Sequence, residues 1–147
     1  MIVRPATEAD IEHWSRMRDS LWPDSSTINM EEIEDYFSNT SNGIQECFLV
    51  EEMGKPVGFV ELNIRDYAEG STCDKVPYVE GWFVDEAHRG KGLGKLLMKQ
   101  AESWAKENGY SEIASDTELE RAESIAVHKK LGFIETDRIV CFLKKLN

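Results

Sequence analysis

The chain has 147 residues, 41% of them hydrophobic and 10% aromatic, which is the size and composition of one folded domain and excludes a disordered segment. Its 28 acidic against 17 basic residues leave a net charge of −11, the wrong sign for a nucleic-acid backbone and a field that gathers cations. No apolar run nears the roughly 20 residues that span a bilayer. Cys47, Cys73 and Cys141 are odd in number and lack a CxxC pair, which argues against a disulfide framework and a zinc site. The opening MIVRPATEAD has neither the basic start nor the apolar core of a secretory leader, so a reduced cytoplasm is the expected setting.

In chain order, IVRPAT reads as a first strand. Thr7 and Asp10 begin a helix in the manner of a capping box, and Ile11, Trp14, Met17, Arg18 and Leu21 then recur at helical spacing. Trp22-Pro23 ends that helix, because a residue before proline is pushed out of the helical region. DSSTIN is expected to be loop, and Asn29 with Glu32 to open a short second helix carrying Ile33, Tyr36 and Phe37. QECFLVEE, the turn MGKP and VGFVELNIRD predict a hairpin. YAEGSTCDKVP is polar loop, and YVEGWFVD is an interior strand, nearly continuous in apolar and aromatic residues. Leu93, Leu96, Leu97, Ala101, Trp104 and Ala105 form one helical stripe, closed by Asn108-Gly109. SEIAS predicts a fifth strand, Glu120 to Leu131 a last helix stopped by Gly132, and GFIETDRIVCFLKKL one or two more strands. The order is that of one mixed α/β domain over residues 1–147.

The stretch DEAHRGKGLGKLLM sets Gly90, Gly92 and Gly94 directly before a helix. A tight strand-to-helix turn needs one glycine. Three imply a backbone that comes close to a ligand, and a helix start with free amides suits a phosphate. Walker A and the dinucleotide fingerprint GxGxxG both fail on spacing. Arg-x-x-Gly-x-Gly fits, through Arg89, Gly92 and Gly94 after EGWFVDEAH, with VHKKLGF later in the chain.

On these residues the sequence resembles the GNAT acetyltransferases, which move acetyl from acetyl-CoA to an amine. The resemblance implies their fold: a mixed, mostly antiparallel twisted sheet with a splayed central strand, flanked by about four helices. It implies that Arg89, Gly90, Lys91, Gly92, Leu93, Gly94 and Lys95 cradle the CoA pyrophosphate. It implies that the strand at Trp82, Phe83 and Val84 takes the pantetheine arm, with Gly81 permitting a bulge. As side chains, Trp82 and Phe83 also suit plain core packing.

Further segments, IEHWSRMRDSLWP, RDYAEG, YVEGWFV, ASDTELE and LGFIETDR, resemble the aminoglycoside 6′-N-acetyltransferases across nearly the whole chain. That resemblance implies acetylation of the 6′-amino group of aminoglycosides, a homodimer, and a substrate site of Trp22, Tyr67, Glu80, Asp116 and Asp137. The alternative is a GNAT enzyme for another small amine, a polyamine or a protein N-terminus. The residue types suit a sugar polycation, which needs carboxylates for ammonium groups and flat apolar surface for sugar faces. Trp22 also reads as a core staple, Asp116 as a cap for DTELE, and Glu135 as a substitute for Asp137.

Transfer to an amine needs an acceptor for its proton. Asp116 and Glu80 are the candidates, Asp116 first. Strand amides near Phe83 and Val84 would polarise the thioester carbonyl. His128 stands where many GNATs place a tyrosine, so it either protonates the leaving thiolate or is a plain helix histidine. Arg121 stands where an asparagine commonly holds CoA. No cysteine has the setting of a nucleophile, which favours direct transfer. No metal is expected.

Overall fold

The structure is a computed structural model describing residues 1–41 and 43–147. Strands β1 (Ile2–Pro5), β2 (Glu46–Glu52), β3 (Lys55–Arg65), β4 (Val76–Val84) and β5 (Ala114–Ser115) form one sheet in the order β1-β2-β3-β4-β5. The first three pairings are antiparallel and β4–β5 is parallel. Helices α1 (Ile11–Leu21), α2 (Ser26–Phe37), α3 (Leu93–Glu107) and α4 (Ala122–Lys130) surround it. The mixed, mostly antiparallel sheet with four helices is the architecture expected from the sequence.

Strand period divides the core between two faces. Along β2, Phe48 and Val50 pack with Leu93, Leu97, Met98 and Ala101 of α3, while Cys47 and Leu49 pack with Trp14, Met17 and Ile33 of α1 and α2. Alternate side chains point to opposite faces, and both faces are covered, so the strand is apolar from Cys47 to Val50. The β2–β3 hairpin turns on Met53 and Gly54, both at positive φ (54° and 77°), the geometry that matches strand twist in a two-residue turn.

An ion pair, Glu61 with Arg18, enters the core beneath α1. Glu61 of β3 accepts from Arg18 Nε at 2.6 Å and Nη2 at 3.0 Å, and from Trp14 Nε1 at 2.8 Å. Burial pushes the Glu61 carboxyl up, while Arg18 and Trp14 oppose that shift.

Three expectations are corrected. DSSTIN is helical rather than loop: Pro23–Ser25 makes a 3-10 turn and α2 begins at Ser26. Its polar residues are held by tertiary contacts, with buried Asn29 donating to Asp19 Oδ1 at 3.0 Å and accepting from Arg18 through its carbonyl at 3.2 Å. The fifth strand shrinks to Ala114–Ser115, and α4 starts at Ala122. Residues 133–147 form no strand. Ile134, Phe142 and Leu143 there are 85%, 93% and 90% exposed, because a two-residue β5 gives the segment no ladder to join.

Candidate active site

The site begins where β4 and β5 part. Tyr78 pairs with Ala114 and Val79 with Ser115, and the pairing ends there. On the other side, Leu62 pairs with Val79 and Glu61 with Gly81, so Glu80 is the extra residue of a β-bulge, as Gly81 suggested. Gly81 is required by packing: a Cβ there would sit 2.8 Å from the Trp22 ring. Trp22 in turn lies under Arg18, 4.9 Å from ring centroid to guanidinium carbon.

Backbone polarity along this strand alternates. The Asp85 amide donates back to Val57 of β3, so Val84 and Trp82 face the edge that β5 leaves open. Phe83 faces β3. The free amides are therefore those of Trp82 and Val84, which corrects the expectation for Phe83. Arg89 Nε donates to the Val84 carbonyl at 2.7 Å, tying the glycine loop to the same edge.

A cavity of about 1040 Å³ follows this edge. Trp82, Phe83, Val84, Arg89, Gly90, Gly92, Leu93, Gly94 and Lys95 all line it, as does Arg121. Gly90 and Gly92 have φ of 82° and 85°, a left-handed turn that side chains rarely tolerate. At Gly94 the constraint is contact, since a Cβ would lie 3.3 Å from Trp82, whose Nε1 donates to the Gly94 carbonyl at 3.0 Å. The first bond of α3 runs from Leu96 to Gly92. The amides of Leu93, Gly94 and Lys95 precede it, without a carbonyl in the helix to bind, and the positive helix end points into the cavity. An anion fits there. Lys91 is the exception: it does not line the cavity, and its Nζ reaches both oxygens of Glu52 at 3.2 Å. His88 Nδ1 also contacts Glu52, and His88 first, then Lys91, hold that carboxyl below its ordinary range. The Glu52 anchor went unnoticed in the sequence, since nothing local links a hairpin turn to a distant glycine loop.

A second cavity, of about 520 Å³, lies on the other side of the parting strands. It is lined by Tyr78, Ser115, Asp116, His128, Glu135 and Asp137, and by Arg65. The Tyr78 hydroxyl donates to Asp116 Oδ2 at 2.6 Å. Burial, and then Asp116, push the phenol pKa up, so it stays a donor. Arg65 lies 3.5 Å over the Tyr78 ring and donates to Glu80 at 2.8 and 2.6 Å, with Asn63 adding a bond at 3.1 Å. Glu80 itself lines neither cavity among the described residues, because Arg65 stands before it. Tyr67 is 67% exposed and, like Trp22, lines neither. The structure thus gathers Asp116, Asp137 and His128, places Glu80 one residue behind, and leaves Trp22 and Tyr67 outside. Tyr78 and Arg65 were missed: in the sequence one reads as strand core and the other as a strand-end cation.

His128 stands between the cavities, edge-on to Trp82 and to Phe133. Its Nδ1 lies 2.7 Å from the Ser124 carbonyl and its Nε2 2.8 Å from Ser115 Oγ. A carbonyl only accepts, so Nδ1 carries a proton, and in the neutral ring Nε2 accepts from Ser115. His128 is no loose surface histidine.

The sequence matches the Acetyltransferase (GNAT) family over residues 13–133. This chain belongs to the GNAT acetyltransferase family. Among GNAT relatives, an aminoglycoside N(6′)-acetyltransferase type 1 of Klebsiella aerogenes is 37% identical, the match covering 99% of this chain and 97% of that one. The crystal structure of an aminoglycoside antibiotic 6′-N-acetyltransferase from Acinetobacter haemolyticus superposes with a TM-score of 0.89 at 34% identity, covering 100% of both chains. A further aminoglycoside 6′-N-acetyltransferase, solved in complex with the bisubstrate analog CoA-S-monomethyl-acetylneamine, gives a TM-score of 0.84 at 32% identity, covering 99% of this chain and 98% of that one. The fold is thus shared with these aminoglycoside 6′-N-acetyltransferases over essentially the whole chain.

Proposed function

We propose that this protein transfers acetyl from acetyl-CoA to the 6′-amino group of aminoglycosides, inactivating these antibiotics, by direct attack of the amine. The observation that carries the reading is the pairing of two unlike cavities across one strand edge. One offers helix amides and Arg89 to a pyrophosphate. The other offers Asp116 and Asp137 to a polycation, beside Glu135, which Arg138 engages at 2.6 Å. Likeness to relatives bearing that name over their whole length supports it.

In this reading the pantetheine arm lies along the open edge of β4, and the Trp82 and Val84 amides polarise the thioester carbonyl. Asp116 takes the proton of the attacking amine, since Tyr78 engages its Oδ2 alone. Glu80, bound at both oxygens by Arg65, acts on charge rather than on the proton. His128 serves the leaving thiolate once its Nε2 is protonated. Trp22 and Tyr67 contribute to sugar binding only through movement of α1 and of the loop before β4.

The chain acts as a single domain over residues 1–147, in the cytoplasm, as a homodimer. The exposed apolar segment 133–147 and the free edge of β5 are the surfaces that a second copy would cover. Sedimentation at micromolar concentration should give twice the 16.8 kDa chain mass, and a monomer refutes the dimer. The function is tested by steady-state acetylation of a panel containing aminoglycosides with a 6′-amine, the same scaffold with a 6′-hydroxyl, polyamines and peptide N-termini. Turnover confined to the 6′-amines is expected. Equal rates on the 6′-hydroxyl compound, or preference for a polyamine or peptide, overturn it.

A further inference from the structure

Tyr78 pairs with Ala114, one residue before the β4–β5 pairing ends at Val79, lines the second cavity, and makes two contacts beyond that pairing. Its ring carries the Arg65 guanidinium at 3.5 Å, and its hydroxyl meets one oxygen of Asp116 at 2.6 Å. A core tyrosine needs one polar partner, and water at a cavity mouth would serve. Here the partner is the carboxylate placed to accept the amine's proton. Burial and the Asp116 charge keep the phenol protonated, so the bond runs one way, from Tyr78 to Asp116.

The consequence is geometric. An aspartate on the two-residue strand end after Ser115 has little to fix its side-chain rotation, because the β5 ladder stops at Ser115 itself. A short, charge-assisted bond to one oxygen fixes that rotation and leaves the other oxygen facing the cavity. Arg65 in turn is held flat by its two bonds to Glu80, and its charge over the ring strengthens the phenol as a donor.

We propose that Tyr78 is a positioning residue for acetyl transfer: clamped by Arg65, it holds Asp116 by one oxygen so that the other meets the incoming amine. This rests on the reading of Asp116 given above. It predicts that Tyr78 acts through Asp116 and through nothing else.

The test is a double-mutant cycle of Tyr78→Phe and Asp116→Asn, with kcat and both KM values measured on one accepted 6′-amino aminoglycoside, and thermal melting as a check on folding. Tyr78→Phe is expected to lower kcat about tenfold, within the usual range for a misplaced base, with the acetyl-CoA KM and the melting temperature unchanged. In the Asp116→Asn background the same change should have no further effect on kcat. An equal loss in both backgrounds means that Tyr78 acts by packing and overturns the proposal, as does a Tyr78→Phe enzyme with wild-type kcat. An Asp116→Asn enzyme with wild-type kcat removes Asp116 from catalysis, and so overturns the reading and the proposal together. If Tyr78→Phe melts early, Arg65→Lys replaces it. Lysine keeps a charge beside Glu80 but cannot lie flat on the ring, and its kcat loss should likewise vanish in the Asp116→Asn background.

Discussion

Arg65 grips both oxygens of Glu80, at 2.8 and 2.6 Å, and so sets a fixed cation at the entrance to a cavity suited to cations. In the proposed reading, an ammonium group of the substrate competes with that guanidinium for Glu80. Arg65→Ala should therefore lower the aminoglycoside KM, and Glu80→Gln, which strands Arg65 unpaired, should raise it. A partly buried charge contact is worth roughly 1 kcal/mol, which is about fivefold in each direction. Added salt should raise the wild-type KM. Parallel shifts in both variants would sink this account.

The glycine loop separates into two kinds of constraint. Gly94→Asp places a carboxylate against Trp82 and among the α3 amides, so it should raise the acetyl-CoA Kd at least about tenfold while the fold survives. Gly92→Val meets open space but must adopt a φ of 85°, and should cost roughly 1–3 kcal/mol of stability as well as affinity. Calorimetry with acetyl-CoA, alongside melting curves, checks both. Unchanged affinity in folded Gly94→Asp removes the loop from the site.

The buried Glu61 and Arg18, 1% and 3% exposed, stand or fall together. Glu61→Gln leaves the guanidinium with Glu32 alone as counter-charge, at 2.9 Å, and should cost about 3 kcal/mol in urea unfolding. Because Arg18 also lies over the Trp22 ring, the loss should reach the bulge at Glu80. A cost below about 1 kcal/mol would show that the pair carries little.

Asp10 gives the acid limb of stability. Bonds from Arg4, at 2.7 and 2.8 Å, hold its carboxyl down to about 2, from an ordinary value of 3.8. A carboxyl lowered on folding adds stability above its unfolded value. That stability drains away as pH falls from about 3.8 through about 2. Asp10→Asn should lose about 2 kcal/mol at pH 7 and converge on wild type near pH 2. Parallel pH curves for the two proteins would contradict this.

The residues that announced themselves were those with local logic. Gly92 and Gly94 before an apolar helix stripe, Pro23 after α1, and Met53-Gly54 between two strands each read correctly, because a turn or cap is settled by its neighbours. Asn29 did not, since its helix rests on Arg18 eleven residues away. Phe142 and Leu143 read as strand on pattern alone, and pattern cannot supply the second strand that a ladder requires. At the site, Asp116 was legible as an acid at a strand end. Tyr78 was hidden, for a cross-strand bond over 38 residues leaves no trace in spacing.

The acidic rim of the second cavity has a consequence for departure as well as arrival. Under the proposed reaction, each turnover turns one ammonium into a neutral amide. The product leaves with one positive charge fewer than the substrate brought, while Asp116, Glu135 and Asp137 keep theirs. In that reading, the same carboxylates that draw the drug in hold its acetylated form less tightly, so the chemistry itself favours discharge.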